Sequence, residues 1–434
     1  MRALDIGIVG CGFAGAASAA LLARAGHRVT VYEEFHEPTA LGAGIVLQPT
    51  GMSVLAELGV LDRVLSHGTR LDALHCVTPS GKTIVRLEYA ALAPGLFGLG
   101  LHRGALFQIL HEAALGAGAT LRRGMSVSDI VDGAGRARVF GPERTLLGEH
   151  DLVVVANGAR SDLRRASGLV RRDRPYSFGA LWFVARDPER FYVSRLRQIA
   201  DGTRHFLGLL PTGLGPRGAG QDEHQVSLFW SIRMDRVAAF RQAGLGPWKA
   251  HVLRYEPEAA FVLDQIESIE QVLAAGYRDV VMWPWHTQRR VFIGDAAHAM
   301  SPQLGQGTNL ALLDASMLAA VLSEELPLSA ALDAYSRRRR AHVAFYQFAS
   351  RWLTPLFQSD LRALGPVRNL ALGIGCRLPF LRAEMLRTMA GIKRGIVRPT
   401  LALPQIVARL PSSGRAVTSP ITRLDGTRDD DQLP

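Results

Sequence analysis

"IGIVGCGFAGAASAALLARAGHRVTVYEE", Ile6 to Glu34, decides how the rest of this 434-residue chain is read. From Ile6 to Ala23 the stretch carries no charge, close to the length of a membrane-spanning helix, and an Arg precedes it as in an export signal. Its composition argues against both. Much of it is Gly, Ala and Ser, Asp5 stands where an export signal has only positive charge, and Gly10, Gly12 and Gly15 interrupt any continuous helix. A strand, a tight turn, a helix and a second strand fit better.

In that reading "IGIVG" is a buried strand, Gly10 permits the turn, Gly12 lets a phosphate approach the backbone, and Gly15 lets the helix pack closely on the strand. The helix start, at Ala14 and its neighbours, offers unpaired N–H groups and the positive end of the helix dipole to a pyrophosphate. The second strand, "HRVTVYEE", ends in acid. Glu33 lies eighteen residues past Gly15, near the separation expected for a carboxylate that binds an adenosine ribose, with Glu34 as the alternative. The cradle serves NAD, NADP and FAD alike.

Composition sets the outer limits. A hydrophobic content of 48% over this length can bury more than one core, so two domains and a C-terminal appendage are expected. Cys11, Cys76 and Cys376 have no metal or redox spacing; no metal is expected, and the sparse count suits a reducing, cytoplasmic setting. The net charge of +11 is dispersed and lacks aromatic-interleaved basic motifs, so neither nucleic acid nor stable membrane insertion is expected. The Arg337–Arg340 run in "YSRRRRAHVAFYQFASRW" reads as a solvated basic helix face.

Strand and helix alternate to about residue 172, which predicts a doubly wound α/β sheet. "SFGALWFVA", "RHFLGLLPTG" and "HQVSLFWSIRM" then read as an antiparallel sheet. Period-two alternation along them makes Trp182, Phe229 and Ser231 candidates for a substrate pocket, with ordinary sheet core as the competing reading. Two later stretches narrow the cofactor: "DLVVVANGARSDLRR", a strand running into Asn157-Gly158, and "RRVFIGDAAHAMSPQLGQGTNLALLDASMLAAVL", a strand ending at Gly294-Asp295 and a Gly-punctuated loop opening a helix near Thr308. Asp295 can bind a ribityl or ribose hydroxyl. The N–H groups of Gly305 to Asn309 can face the flavin N(1)–C(2)=O edge.

With these motifs the chain resembles the class A flavin monooxygenases, the single-component family of para-hydroxybenzoate hydroxylase and the aromatic and polyketide hydroxylases. The resemblance covers roughly residues 4–355. It rests on the glycine motif with Glu33, "LGAGIVLQPTGMSVLAELGV" from Leu41, "LHRGALFQIL" from Leu101, Asn157-Gly158 and "GDAAHAMSPQLGQGTNLALLDA" from Gly294. It implies an α/β fold: a Rossmann-like FAD-binding domain (GR2-type) with an inserted antiparallel β-sheet substrate domain and C-terminal helices. The expected boundaries are 1–70, 97–173 and 281–355 for FAD binding, 71–96 and 174–280 for the sheet, 356–410 for the helical segment and 411–434 for a flexible tail.

The resemblance also implies a chemistry. NADPH or NADH reduces FAD, O₂ adds at flavin C(4a), and the hydroperoxide transfers oxygen to an apolar, aromatic or polyketide-like small molecule, in a monomer or homodimer. Gly10, Gly12, Ala14 and Gly15 would face the pyrophosphate, Glu33 or Glu34 the ribose, Asp295 the ribityl chain and Arg103 the FAD. Pro302, Gly305, Gly307, Thr308 and Asn309 would line the isoalloxazine, with Gly44 and Ile45 along its other edge.

One departure stands out. The family usually carries Asp-Gly where this chain has Asn157-Gly158, so FAD binding is expected to survive while NAD(P)H use weakens. This keeps alive an FAD-binding protein that has lost efficient monooxygenation; a flavin-dependent halogenase is the other alternative, although "MWPWHTQ" does not match the WxWxIP segment of halogenases. No catalytic side chain is assigned. His298, His286 and Pro302 are candidates near flavin or substrate, and both histidines have structural readings. Asp314 reads as a buried, paired carboxylate. The stretch Leu361–Arg398 is expected to pack on the FAD domain, with pocket capping or membrane contact as alternatives.

Overall fold

In the computed structural model, which describes residues 3–37, 44–216, 223–396 and 400–403, the quoted stretch is the centre of the molecule. Asp5–Val9 lies in the middle of a five-stranded parallel sheet, between Arg28–Glu33 and Leu152–Val155, with Thr120–Arg123 and Arg290–Phe292 at the edges. Helix Phe13–Arg24 buries nearly its whole surface against helices Arg103–Gly116 and Gly307–Ser323, which explains why so many of its residues are Ala. A smaller side chain on every face lets three elements approach at once.

The second sheet has nine strands. Its path runs Leu273–Met282, Val170–Arg186, His224–Arg233, His205–Leu214, Ser194–Asp201, Thr69–Val77, Gly98–His102 and Gly44–Leu47, with Thr83–Glu88 paired to Thr69–Val77. This differs from expectation in two ways. Ser194–Asp201 runs parallel to Thr69–Val77, so the sheet is mixed. Strands Gly44–Leu47 and Gly98–His102, expected within the FAD-binding part, are hydrogen-bonded into the large sheet. The sheet curls on itself: a Cβ at Gly100 would lie 2.0 Å from the Pro211 carbonyl oxygen.

Alternation divides this sheet into two faces. Leu181, Leu207, Leu209, Val226, Leu228 and Trp230 pack against Trp248, Val252 and Leu263 of the helices that follow. Phe206 and Phe229 point the other way, toward Phe357, Leu386 and Met389. A three-stranded antiparallel sheet, Asp129–Asp132, Ala137–Phe140 and Leu146–His150, supplies the crossover between Thr120–Arg123 and Leu152–Val155.

Two C-terminal expectations change. Within helix Leu328–Phe357 the arginine run is not a uniform solvated face: Arg338 pairs with Glu324, Arg340 sits 4.4 Å from the Trp283 ring centroid, and Arg339 is buried. Helices Leu364–Arg377 and Pro379–Met389 pack chiefly on Thr83–Glu88 of the large sheet, with a smaller contact on helix Leu328–Phe357 of the FAD-binding part. The end of the second helix also reaches that part, where Gln306 Nε2 donates to the Met389 carbonyl (2.9 Å) and the Tyr346 hydroxyl to the Thr388 carbonyl (3.0 Å). No helix among the described residues is long and apolar enough to cross a membrane. The expected tail, 411–434, lies outside the described residues, as do Leu41 to Ala43 of the second quoted motif.

Candidate active site

The glycines of the first turn have separate jobs. Gly10 has φ +96°, and a Cβ there would lie 2.8 Å from the Ala156 carbonyl oxygen. At Gly15 a Cβ would lie 2.0 Å from the Gly10 carbonyl, so helix and strand meet only because it is absent. Gly12 is different: nothing lies within 4 Å of a Cβ built on it. It caps helix Phe13–Arg24 without a side-chain hydrogen bond, so the first-turn N–H groups face open space. Ala14 is buried against Gly294, joining this turn to the Asp295 loop.

Glu33 ends its strand beside that turn. Its Oε2 accepts from the Cys11 N–H (2.8 Å) and its Oε1 from the Phe35 N–H (3.1 Å), while Glu34 is exposed one residue on. Burial, reinforced by Glu33, pushes the Cys11 thiol up to about 12, which excludes it as a thiolate nucleophile.

Three further groups surround the opening. Arg103, first residue of helix Arg103–Gly116, holds its guanidinium 5.0 Å from the Phe13 ring centroid and has no hydrogen-bond partner among the described residues. Desolvation lowers its pKa, opposed by the Asp295 carboxylate. Asn157 follows strand Leu152–Val155, and its Oδ1 is buried without a hydrogen-bond partner. Asp295 opens the short helix Asp295–His298, exposed, with one carboxylate oxygen 4.0 Å from the Cβ position of Gly307.

Pro302–Leu304 forms a turn, Gly305 adopts φ +61°, and helix Gly307–Ser323 starts without a side-chain cap, leaving the N–H groups around Gly307 and Thr308 available. Asn309 is already committed: its Oδ1 accepts from the Gln48 N–H (2.8 Å), and its Nδ2 donates to the Val46 (3.1 Å) and Gly305 (3.0 Å) carbonyls. It therefore clamps the loop to strand Gly44–Leu47. In that strand, which includes half-buried Ile45, the Gly44 N–H donates to Ser227 Oγ (2.7 Å), and a Cβ at Gly44 would lie 2.2 Å from Thr212 Cγ2. Glycine is needed there for the sheet to curl.

An uncapped helix start at open Gly12, a free guanidinium, an orphaned amide oxygen, a free carboxylate and a second uncapped helix start share one chemistry. They fit an extended ligand with an anionic middle, hydroxylated arms and a polar ring. That is the shape of FAD.

The family profile described as FAD binding domain matches residues 3–347. The chain belongs to this FAD-binding family. Among curated relatives, this flavoprotein is 27% identical over 335 residues to 6-hydroxynicotinate 3-monooxygenase of Bordetella bronchiseptica, covering 74% of this chain and 82% of that one. It is 27% identical over 409 residues to 6-methylpretetramide 4-monooxygenase of Streptomyces rimosus, covering 92% and 94%. In fold it is similar to Klebsiella pneumoniae HpxO, solved with FAD and uric acid: TM-score 0.72, 20% identity, covering 88% of this chain and 97% of that one. The resemblance to class A flavin monooxygenases is borne out, and the protein is an FAD-dependent monooxygenase. The halogenase alternative draws no support from these relatives.

The histidines of this flavoprotein are engaged in its framework. His298 Nε2 donates to Asp314 Oδ2 (2.6 Å), and His286 bonds Ser336 Oγ (2.9 Å) and lies 3.3 Å from Asp333. Ser231 is also spent, accepting from the Phe206 N–H (2.9 Å) and donating to the Arg204 carbonyl. Trp182 and Phe229 do meet, ring centroids 5.3 Å apart, and Phe206 lies 5.2 Å from Phe229. Three contributors escaped sequence reading. Tyr277 lies beside Trp182, burial raising its phenol pKa. Buried Arg164 ties the Asn157 loop to the Asp295 helix through the Ala159 (2.7 Å) and Ala296 (3.1 Å) carbonyls and Asp173 (2.8 Å). Gln303 Nε2 donates to Gln358 Oε1 (2.7 Å), whose amide donates to the Gly179 carbonyl (3.0 Å).

Beneath the start of helix Gly307–Ser323, Arg339 Nη1 donates to His342 Nδ1 (2.8 Å), and His342 Nε2 donates to the Gly391 carbonyl (2.7 Å). Burial, with Arg339 adding to it, holds this ring neutral, its pKa pushed down to about 3. An unfolded His titrates near about 6.5, so between these values the unfolded chain binds the extra proton. The stability from His342 is thus present above pH ~6.5 and is lost as pH falls toward 3, by up to about 1.4 kcal/mol per pH unit. Thermal unfolding across this range should show a shallower acid slope for His342→Gln than for wild type; equal slopes would refute the assignment.

Proposed function

We propose that the protein uses NADPH or NADH and O₂ to hydroxylate an apolar aromatic or polyketide-like small molecule, held between the Pro302–Gly305 loop and the Trp182–Phe229 face of the large sheet. Bound FAD supplies the electron transfer and oxygen activation. The chain's own residues bind, orient and exclude water. The N–H groups beyond Gly12, together with Arg103, would hold the pyrophosphate; Glu33 and Asp295 would take ribose and ribityl hydroxyls; and the N–H groups at Gly307 and Thr308 would meet the ring edge that turns negative on reduction.

The observation carrying this reading is the Gln303–Gln358–Gly179 bridge, which fastens the loop beyond Pro302 to the strand bearing Trp182. It supports an aromatic wall beside the reacting ring. Such a wall keeps water away from activated oxygen, whose unproductive fate is H₂O₂. Opening it with Trp182→Ala should therefore raise H₂O₂ formed per NAD(P)H several-fold and lower product yield, while FAD stays bound. Unchanged coupling would remove Trp182 from the pocket. The direct test of the reaction is incorporation of ¹⁸O from ¹⁸O₂ into one of a panel of phenolic, N-heteroaromatic and polycyclic compounds.

A cytoplasmic location and a monomer or homodimer remain part of the proposal.

A further inference from the structure

The stretch "LRALGPVRNLALGIGCRLPFLR", Leu361 to Arg382, contains no Asp or Glu and four Arg. It supplies helix Leu364–Arg377 and the start of helix Pro379–Met389, the pair laid on Thr83–Glu88. Val367, Leu370 and Ile374 follow one another at helical spacing and are exposed, as are Leu378, Phe380 and Leu381. Phe380 at 72% and Leu370 at 67% exposure are extreme for side chains of this size.

Between this helix pair and the strand lies a cavity of about 690 Å³ whose lining mixes Ile84 and Leu370 with Lys82, Arg377 and Arg382. These three cations have no ion-pair partner among the described residues, and the Arg382 Nε is buried without a hydrogen bond. The one carboxylate lining the cavity, Glu88, is already paired with Arg86 (2.8 Å). Apolar side chains projecting outward beside uncompensated cations call for a partner that is apolar in depth and anionic at its surface. A second copy fits poorly, because a two-fold contact would face these cations with cations.

We propose that the Leu361–Leu381 helix pair is a peripheral docking surface for an anionic lipid bilayer. Its apolar residues enter the acyl boundary, and Lys82, Arg377 and Arg382 meet the phosphate headgroups. The inference is independent of which substrate is hydroxylated.

Flotation of the FAD-loaded protein with phosphatidylglycerol–phosphatidylcholine vesicles, and with phosphatidylcholine alone, tests it. The expected result is binding to the anionic vesicles only, weakened by salt. Lys82→Gln/Arg377→Gln should weaken binding about tenfold or more, and Leu370→Ser/Phe380→Ser comparably. Flavin absorbance and melting temperature should stay as in wild type, since all four side chains are exposed. Absence of binding to anionic vesicles, or variants that bind like wild type, would overturn the proposal. So would lipid-free self-association abolished by Leu370→Ser/Phe380→Ser, which would give the face to a second copy.

Discussion

Gly12→Asp is expected to leave a folded protein that no longer retains FAD. A Cβ at this position meets nothing within 4 Å, so the fold has room for the new side chain. The space it fills is the approach to the uncapped helix start, and its carboxylate would take the N–H groups and dipole proposed to hold the pyrophosphate. Losing two charge-assisted hydrogen bonds costs about 3–6 kcal/mol, or a hundred- to ten-thousandfold in affinity. Titrating apoprotein with FAD by flavin fluorescence measures this directly. Gly15→Val is the informative contrast: its Cβ collides with the Gly10 carbonyl at 2.0 Å, so folding itself should fail. Wild-type affinity in Gly12→Asp would place the pyrophosphate elsewhere.

Among changes that leave the protein able to fold, a large loss of stability is expected at Asp314. This carboxylate is fully buried in helix Gly307–Ser323, where it accepts from His298 Nε2, from Arg339 Nε (2.7 Å) and from the Gly294 N–H (2.8 Å). Burial alone would raise its pKa, but His298, Arg339 and the Gly294 N–H outweigh burial and hold it well below the usual carboxylate range. Asp314→Ala strands a buried guanidinium, because Arg339 is only 3% exposed, and should cost about 3–5 kcal/mol. Denaturant unfolding of the apoprotein reads this loss without the contribution of bound cofactor. The folded pKa is depressed, so the contribution is present above pH ~4 and is lost as pH falls through the folded value. A loss under 1 kcal/mol would mean that the network is not load sharing as its geometry implies.

The parallel-sheet half was legible because its code is local. Gly10, Gly12, Gly15 and Glu33 lie within one strand-turn-helix-strand unit, where hydrophobic period and glycine positions determine the backbone. Asp314 was legible as paired, since an isolated buried carboxylate is too costly; its partner Arg339, twenty-five residues on, was not. Arg339 looked like its exposed neighbours because charge runs carry no record of which member a tertiary contact selects. The same limit hid the parallel pairing of Ser194–Asp201 with Thr69–Val77 and the entry of Gly44–Leu47 into the large sheet. Alternation gives the faces of a strand but not its neighbours. Ser231 was on the expected face yet is consumed by the adjoining backbone, whereas Tyr277 reaches Trp182 along the sheet, a meeting no residue spacing encodes.

Anaerobic stopped-flow reduction of the FAD-loaded protein by NADPH and by NADH, with and without the aromatic panel, tests the central claim most directly. The account predicts loss of oxidised-flavin absorbance with one nicotinamide or both, accelerated by one class of compound. Bound flavin that neither nicotinamide bleaches under any of these conditions would contradict it.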